Sequence, residues 1–255
     1  MKTSVDVTLK EYDLELLEGD YDRISFFVED VKKLDSICGR VNKLTKGAIF
    51  RAISSKEFEK KSCGDVLTLS FPNFLQTKYL DLVKWSKSGT PNDARKAGVN
   101  LAKKSNHSRV LMCVAAQNFS EELMKGYLLR RYEFSNYKSR ENKDMGSVIL
   151  MLKRPKDFRK ALLETKAIVD GVFFTRNLVN EPANILNTVE FSERLKGLSS
   201  LGVDVEVLEE NKLAELGMNA LLGVGQGSAN PSKIVIMSWK GSSKKDKPLA
   251  LVGKG

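Results

Sequence analysis

The chain has 255 residues, 42% hydrophobic and 29% charged, a balance that suits one large or two ordinary soluble globular domains. The opening MKTSVDVTLKEYDLELLEGD lacks the apolar centre of a secretory signal. No stretch approaches the roughly 18 consecutive apolar residues that a membrane span requires, so no membrane association is expected. The net charge is +10, and it raises the question of a nucleic-acid partner. The basic pairs (Lys32-Lys33, Lys60-Lys61, Lys103-Lys104, Arg130-Arg131, Lys153-Arg154, Lys244-Lys245) are dispersed and carry no interleaved aromatics. A solvated surface is the favoured reading and a binding stripe the minor one. Three cysteines, Cys38, Cys63 and Cys113, are odd in number and widely spaced. They read as reduced thiols of a cytoplasmic protein.

Strand and helix patterns alternate through the first half. Ile24–Val28 reads as a strand, and an apolar pattern at helical spacing follows Asp30 through Val31, Leu34, Ile37, Val41 and Leu44. Val66–Phe71 is a second strand, stopped by Pro72, and Tyr79–Val83 a third. Asp93 is expected to cap a helix through Ala94, Ala97, Leu101 and Ala102. Arg109–Ala116 reads as a buried parallel strand. Ser120 is expected to cap a helix carrying Leu123 and Tyr127 on one face, and Ser147–Leu152 is another buried strand. Pro155 opens a long helical stretch with Phe158, Leu162, Thr165, Val169, Val172 and Phe173 inward, ending near Asn180.

The alternation then restarts. Val189–Leu201 reads as helix, Val203–Val207 as strand, Glu209–Leu216 as helix, Ile234–Met237 as strand and Leu249–Val252 as a buried strand. Such a pattern predicts an α/β layer structure with a parallel or mixed sheet. The expected division is an N-terminal α/β domain at 1–152, a linker helix at 156–178 and a further α/β region at 179–255.

Candidate chemistry is sparse. Gly223-Val224-Gly225-Gln226-Gly227 has the glycines of a phosphate loop but not the strand before and the helix after, so a tight, close-packed turn is the better reading. His107 is the only histidine and sits in a polar stretch, where a surface loop is favoured. A single histidine removes the usual zinc constellations. Cys113 reads as a small core residue. Lys254, between Gly253 and Gly255 after an apolar run, is either a surface charge or a site residue; physical reasoning alone slightly favours the former.

Four stretches together resemble the leucyl aminopeptidase (cytosol aminopeptidase) family. They are Lys125–Lys138, Thr175–Asn184, Leu216–Ser228 and Pro248–Gly255. The resemblance implies an N-terminal macro-like α/β domain, a linker helix and the beginning of a mixed-sheet α/β metallopeptidase domain. It implies hydrolysis of peptides with a free N-terminus by two divalent metal ions, Mn²⁺ or Zn²⁺, in a cytoplasmic homo-hexamer. Lys254 matches the family's lysine metal ligand, which must be neutral to ligate. The family's following aspartate, its later carboxylate ligands and its catalytic arginine would lie beyond Gly255. No catalytic residue is therefore expected within the chain, which should hold no metal pair by itself. It reads as a truncated aminopeptidase, with a non-catalytic oligomerisation or nucleic-acid-binding module as the alternative.

Overall fold

A computed structural model describes residues 5–28, 34–114, 119–139, 145–242 and 247–254. The chain divides into two compact units, Met1–Asn177 and Leu178–Gly255.

The first unit is built on β1 (Asp6–Glu11), β2 (Arg23–Val28), α1 (Ser36–Leu44), α2 (Ala48–Ile53), α3 (Lys56–Glu59), β3 (Val66–Ser70), β4 (Tyr79–Lys84), α4 (Pro91–Lys104), β5 (Arg109–Val114), α5 (Ser120–Arg130), β6 (Ser147–Leu152) and most of α6 (Pro155–Asn180). The strands form one six-stranded sheet in the order β1-β6-β5-β2-β4-β3. All pairs are parallel except β3–β4. This is the mixed α/β architecture the alternation implies.

Period-two alternation along the strands sorts side chains to two cores. Leu111 and Cys113 of β5 join Ile24, Phe26, Leu80, Leu82 and Met151 against Ile37, Val41, Ile49, Ile53 and Phe58 of α1–α3. Val110, Met112 and Val114 join Val148, Leu150 and Leu152 against Leu101, Leu123, Tyr127, Leu162 and Val169 of α4–α6. Apolar residues on both faces are what a parallel sheet between two helix layers requires. α6 presents Leu162, Thr165, Val169 and Phe173 inward, whereas Val172, expected inward, is 37% exposed.

Helix starts depart from expectation in an instructive way. α4 is capped by Thr90, not Asp93. The Asp93 N–H donates to Thr90 Oγ1 at 3.2 Å and the Thr90 N–H donates to Asp93 Oδ2 at 2.9 Å, with Pro91 in the first turn. This reciprocal box satisfies two donors that a helix start otherwise leaves open. Thr90→Ala is expected to cost about 1 kcal/mol in a urea unfolding curve. Ser120 is the first residue of α5, and Phe119, at φ +67°, occupies the cap position. Asp35 caps α1 by accepting from the N–H groups of Ile37 and Cys38 at 2.9 and 3.0 Å, so this helix begins at Ser36. The expected start at Val31 and the strand end at Ala115 and Ala116 lie outside the described residues.

The second unit contains α7 (Thr188–Lys196), a short 3-10 turn at Gly197–Leu201, β7 (Asp204–Leu208), α8 (Glu210–Glu215), α9 (Asn219–Gly225) and β8 (Ile234–Ser238). β7 and β8 pair antiparallel. The helix expected over Val189–Leu201 therefore tightens to a 3-10 turn at Gly197. The run Leu249–Val252 forms no strand. Residues 247–254 carry no regular structure, and Leu249, Leu251 and Val252 are 88%, 89% and 99% exposed. A strand needs a neighbouring backbone to pair with, and no described residue supplies one to this run.

Candidate functional site

In the second unit the glycine cluster ends a helix and enters the expected turn, in which the Ser228 N–H donates to the Gly225 carbonyl at 2.9 Å. Gly223 and Gly225 belong to α9, and Gly227 follows it. Gly225 packs closely on Ser232: a Cβ there would sit 1.9 Å from the Ser232 Oγ, which would have to rotate away. The Ser232 N–H donates to Glu210 Oε1 at 2.8 Å, tying the segment before β8 to the start of α8. Lys233 closes the same region by pairing with Glu209 at 2.6 Å. No strand precedes α9 directly, so this is not a dinucleotide loop. The Glu181 side chain is only 3% exposed and pairs with Arg194 at 2.9 Å; Arg194 also pairs with Glu190 at 2.8 Å. These charges raise the proton affinity of the Arg194 guanidinium and are structural clasps.

Lys254 is exposed and stands at the end of no strand. Among the described residues, no three His, Cys, Asp or Glu side chains converge as a metal-holding group. A single lysine nitrogen supplies one of the several ligands that a two-metal site requires.

In the first unit, the chain leaves β2 toward β4 and β5 toward β6, so the switch point of the sheet lies between β2 and β5. Phe27, Trp85, Val114, Phe119 and Leu123 line a small recess there. Among the described residues its lining is apolar except for the Ser120 hydroxyl and holds no titratable group.

The thiols are not poised for attack. Burial pushes Cys38 and Cys113 well up, and burial also raises Cys63. His107 occupies a turn at φ +57° just before β5.

The buried charge that sequence reasoning missed is structural. Arg23 of β2 reaches across to Asp81 of β4 through two hydrogen bonds of 2.8 Å, and Thr68 of β3 donates to Asp81 at 2.7 Å. The Arg23 guanidinium also lies 4.3 Å from the centre of the Tyr79 ring. The charged residues sit within strands of otherwise apolar pattern, and that interruption was the available signal.

Comparison with known proteins supplies what the isolated geometry does not. The model of the cytosol aminopeptidase family's catalytic domain matches residues 173–255. A probable cytosol aminopeptidase of Dinoroseobacter shibae is 42% identical over 243 residues, covering 95% of this chain and 50% of the relative. The chain belongs to the cytosol aminopeptidase family. A second family member, the probable cytosol aminopeptidase of Cereibacter sphaeroides, is 38% identical over 255 residues, or 100% of this chain and 52% of that protein. Thus the chain spans about half the length of the curated relatives it matches.

The fold agrees. A tomato leucine aminopeptidase variant superposes with a TM-score of 0.72 at 20% identity, covering 91% of this chain and 50% of that one. The bottromycin maturation enzyme BotP in complex with Mn superposes with a TM-score of 0.63 at 21% identity, covering 85% of this chain and 44% of that one. No helix among the described residues is long and apolar enough to cross a membrane.

Proposed function

We propose that these residues are the N-terminal part of a metal-dependent aminopeptidase that removes N-terminal amino acids from peptides in the cytoplasm. The observation that carries this reading is the family match over residues 173–255, joined to relatives about twice as long. In the proposal, residues 1–152 form an N-terminal α/β domain, 156–178 a linker helix, and 179–255 the start of the catalytic domain. The span of α6, Pro155–Asn180, supports that division. Two divalent cations, Mn²⁺ or Zn²⁺, serve the complete protein, which assembles as a homo-hexamer. Lys254 is one ligand of that pair, and the remaining ligands come from residues outside this sequence. The Mn named with the BotP neighbour is consistent with this cofactor class. No specific observation favours the non-catalytic assembly or nucleic-acid-binding reading, whose only support is the net charge of +10.

The test of Lys254 uses a protein extended to the length of the relatives. A neutral amine donates a lone pair to a metal; an alanine methyl does not. Lys254→Ala is expected to weaken Mn²⁺ binding at least tenfold by titration calorimetry, with the melting curve of the metal-free protein unchanged. Equal Mn²⁺ affinity in the variant would return Lys254 to the role of a surface charge.

A further inference from the structure

At the edge of the sheet where β5 and β6 begin, Asn106, His107, Arg130, Arg131, Tyr132 and Glu133 surround a recess of about 200 Å³. Arg131 is 6% exposed and held rigidly. One terminal nitrogen donates to the Ser105 carbonyl at 2.8 Å and to Asn106 Oδ1 at 2.9 Å, and the other donates to the Met145 carbonyl. Its Nε is buried and has no hydrogen-bond partner among the described residues. A buried donor without an acceptor is costly, and a guanidinium can only donate. Arg130, beside it, is exposed and forms no ion pair among the described residues. A third guanidinium, that of Arg176, lies 3.8 Å from the centre of the Tyr132 ring. The one carboxylate of the lining among the described residues, Glu133, faces Lys138 at 3.3 Å.

We propose that this recess is a binding site for a small oxyanion of phosphate type. Its lining sets the Arg131 guanidinium, held in position by three acceptors, beside the exposed guanidinium of Arg130, and the buried Arg131 Nε lacks an acceptor among the described residues. Planar guanidinium groups match phosphate oxygens in geometry and charge. The recess lies wholly within the first unit and shares no residue with the proposed metal ligand Lys254. It therefore stands or falls independently of the aminopeptidase reading.

The test uses the 255-residue chain, whose only histidine borders the recess and gives a unique reporter. Inorganic phosphate is titrated at fixed pH and ionic strength while the imidazole C–H resonances of His107 are followed by NMR. A saturable shift in the millimolar range or tighter is expected. Arg130→Ala, which leaves the Arg131 clasp and the core intact, should weaken binding about tenfold with an unchanged melting curve. Phosphoethanolamine, run as a parallel probe, separates the sources. Tighter binding than inorganic phosphate assigns the site to phosphorylated small molecules, and weaker binding assigns it to the free ion. A non-saturating drift of the histidine resonance, or equal saturation in Arg130→Ala, would overturn the proposal.

Discussion

Asp81→Ala is expected to destabilise the first unit by about 3–5 kcal/mol, because it leaves the Arg23 guanidinium buried without its counter-charge. The two side chains are 6% and 1% exposed, so water cannot replace the lost carboxylate. Thr68 loses its acceptor in the same step. Among the described residues the Tyr79 ring would remain against the cation, a contact worth about 2 kcal/mol when desolvated. A unit of this size loses roughly 2–4 °C of melting temperature per kcal/mol, so the fall should be about 10 °C. Replacing both partners, Arg23→Met with Asp81→Leu, should recover much of that loss, since no uncompensated charge is then buried. Urea and thermal unfolding of the two variants beside the parent protein check the pattern. A double variant as unstable as Asp81→Ala would show that the pair stabilises by more than mutual neutralisation.

Gly98→Ala and Gly126→Ala should each cost about 3 kcal/mol or more, at the upper end of what overpacking does. Both glycines lie where α4 meets α5. A Cβ on Gly98 would sit 2.0 Å from the Leu123 carbonyl oxygen and 2.7 Å from the Tyr127 nitrogen. A Cβ on Gly126 would sit 2.2 Å from the Arg95 carbonyl oxygen. Backbone atoms cannot rotate away as a side chain can, so the helices must separate. Separation would loosen the core around Leu101, Leu123 and Tyr127, all buried, and strain the ion pair between Arg95 and Glu122. Gly171, in the middle of α6, is the control. No atom lies within 4 Å of an added Cβ there, so Gly171→Ala should be neutral or stabilise by about 0.5–1 kcal/mol through helix propensity. Unfolding curves that fail to separate Gly171→Ala from the other two would contradict the close approach of α4 and α5.

The elements legible in the sequence are those whose burial is two-sided. β5 and β6 read as near-continuous apolar runs because helices cover both faces, and β2 and β4 stand out for the same reason. β1 went unread. Its sequence DVTLKE shows only Val7 and Leu9 as apolar residues, and it lies at the sheet edge beside β6 alone. α2 and α3, of six and four residues, are too short for helical periodicity to appear. The cap of α4 is ambiguous in sequence because Asp93 and Thr90 are both competent cappers, and only the reciprocal bonds decide between them. Leu249–Val252 misled for a different reason. Apolar composition says that a strand is suitable, but pairing depends on a partner backbone that a local pattern does not reveal.

The site was less legible than the fold. Lys254 stands out only through family resemblance, and among the described residues no three His, Cys, Asp or Glu side chains gather as a metal-holding group. Nor could spacing reveal the Arg131 clasp, because its partners at Ser105, Asn106 and Met145 meet it only through tertiary folding.

The most direct test of the central claim is steady-state hydrolysis of leucine p-nitroanilide in the presence of Mn²⁺. It compares the purified 255-residue chain with a protein extended to the full length of its relatives. No metal-dependent turnover by the short chain is expected, since hydrolysis needs a multiply ligated metal to lower the pKa of its water. Turnover by the extended protein is expected, and it should be lost with Lys254→Ala. The short chain should also associate in solution, because Leu249, Leu251 and Val252 present exposed apolar surface. Metal-dependent turnover by the 255-residue chain itself, abolished by Lys254→Ala, would contradict the claim that most of the active site lies outside these residues.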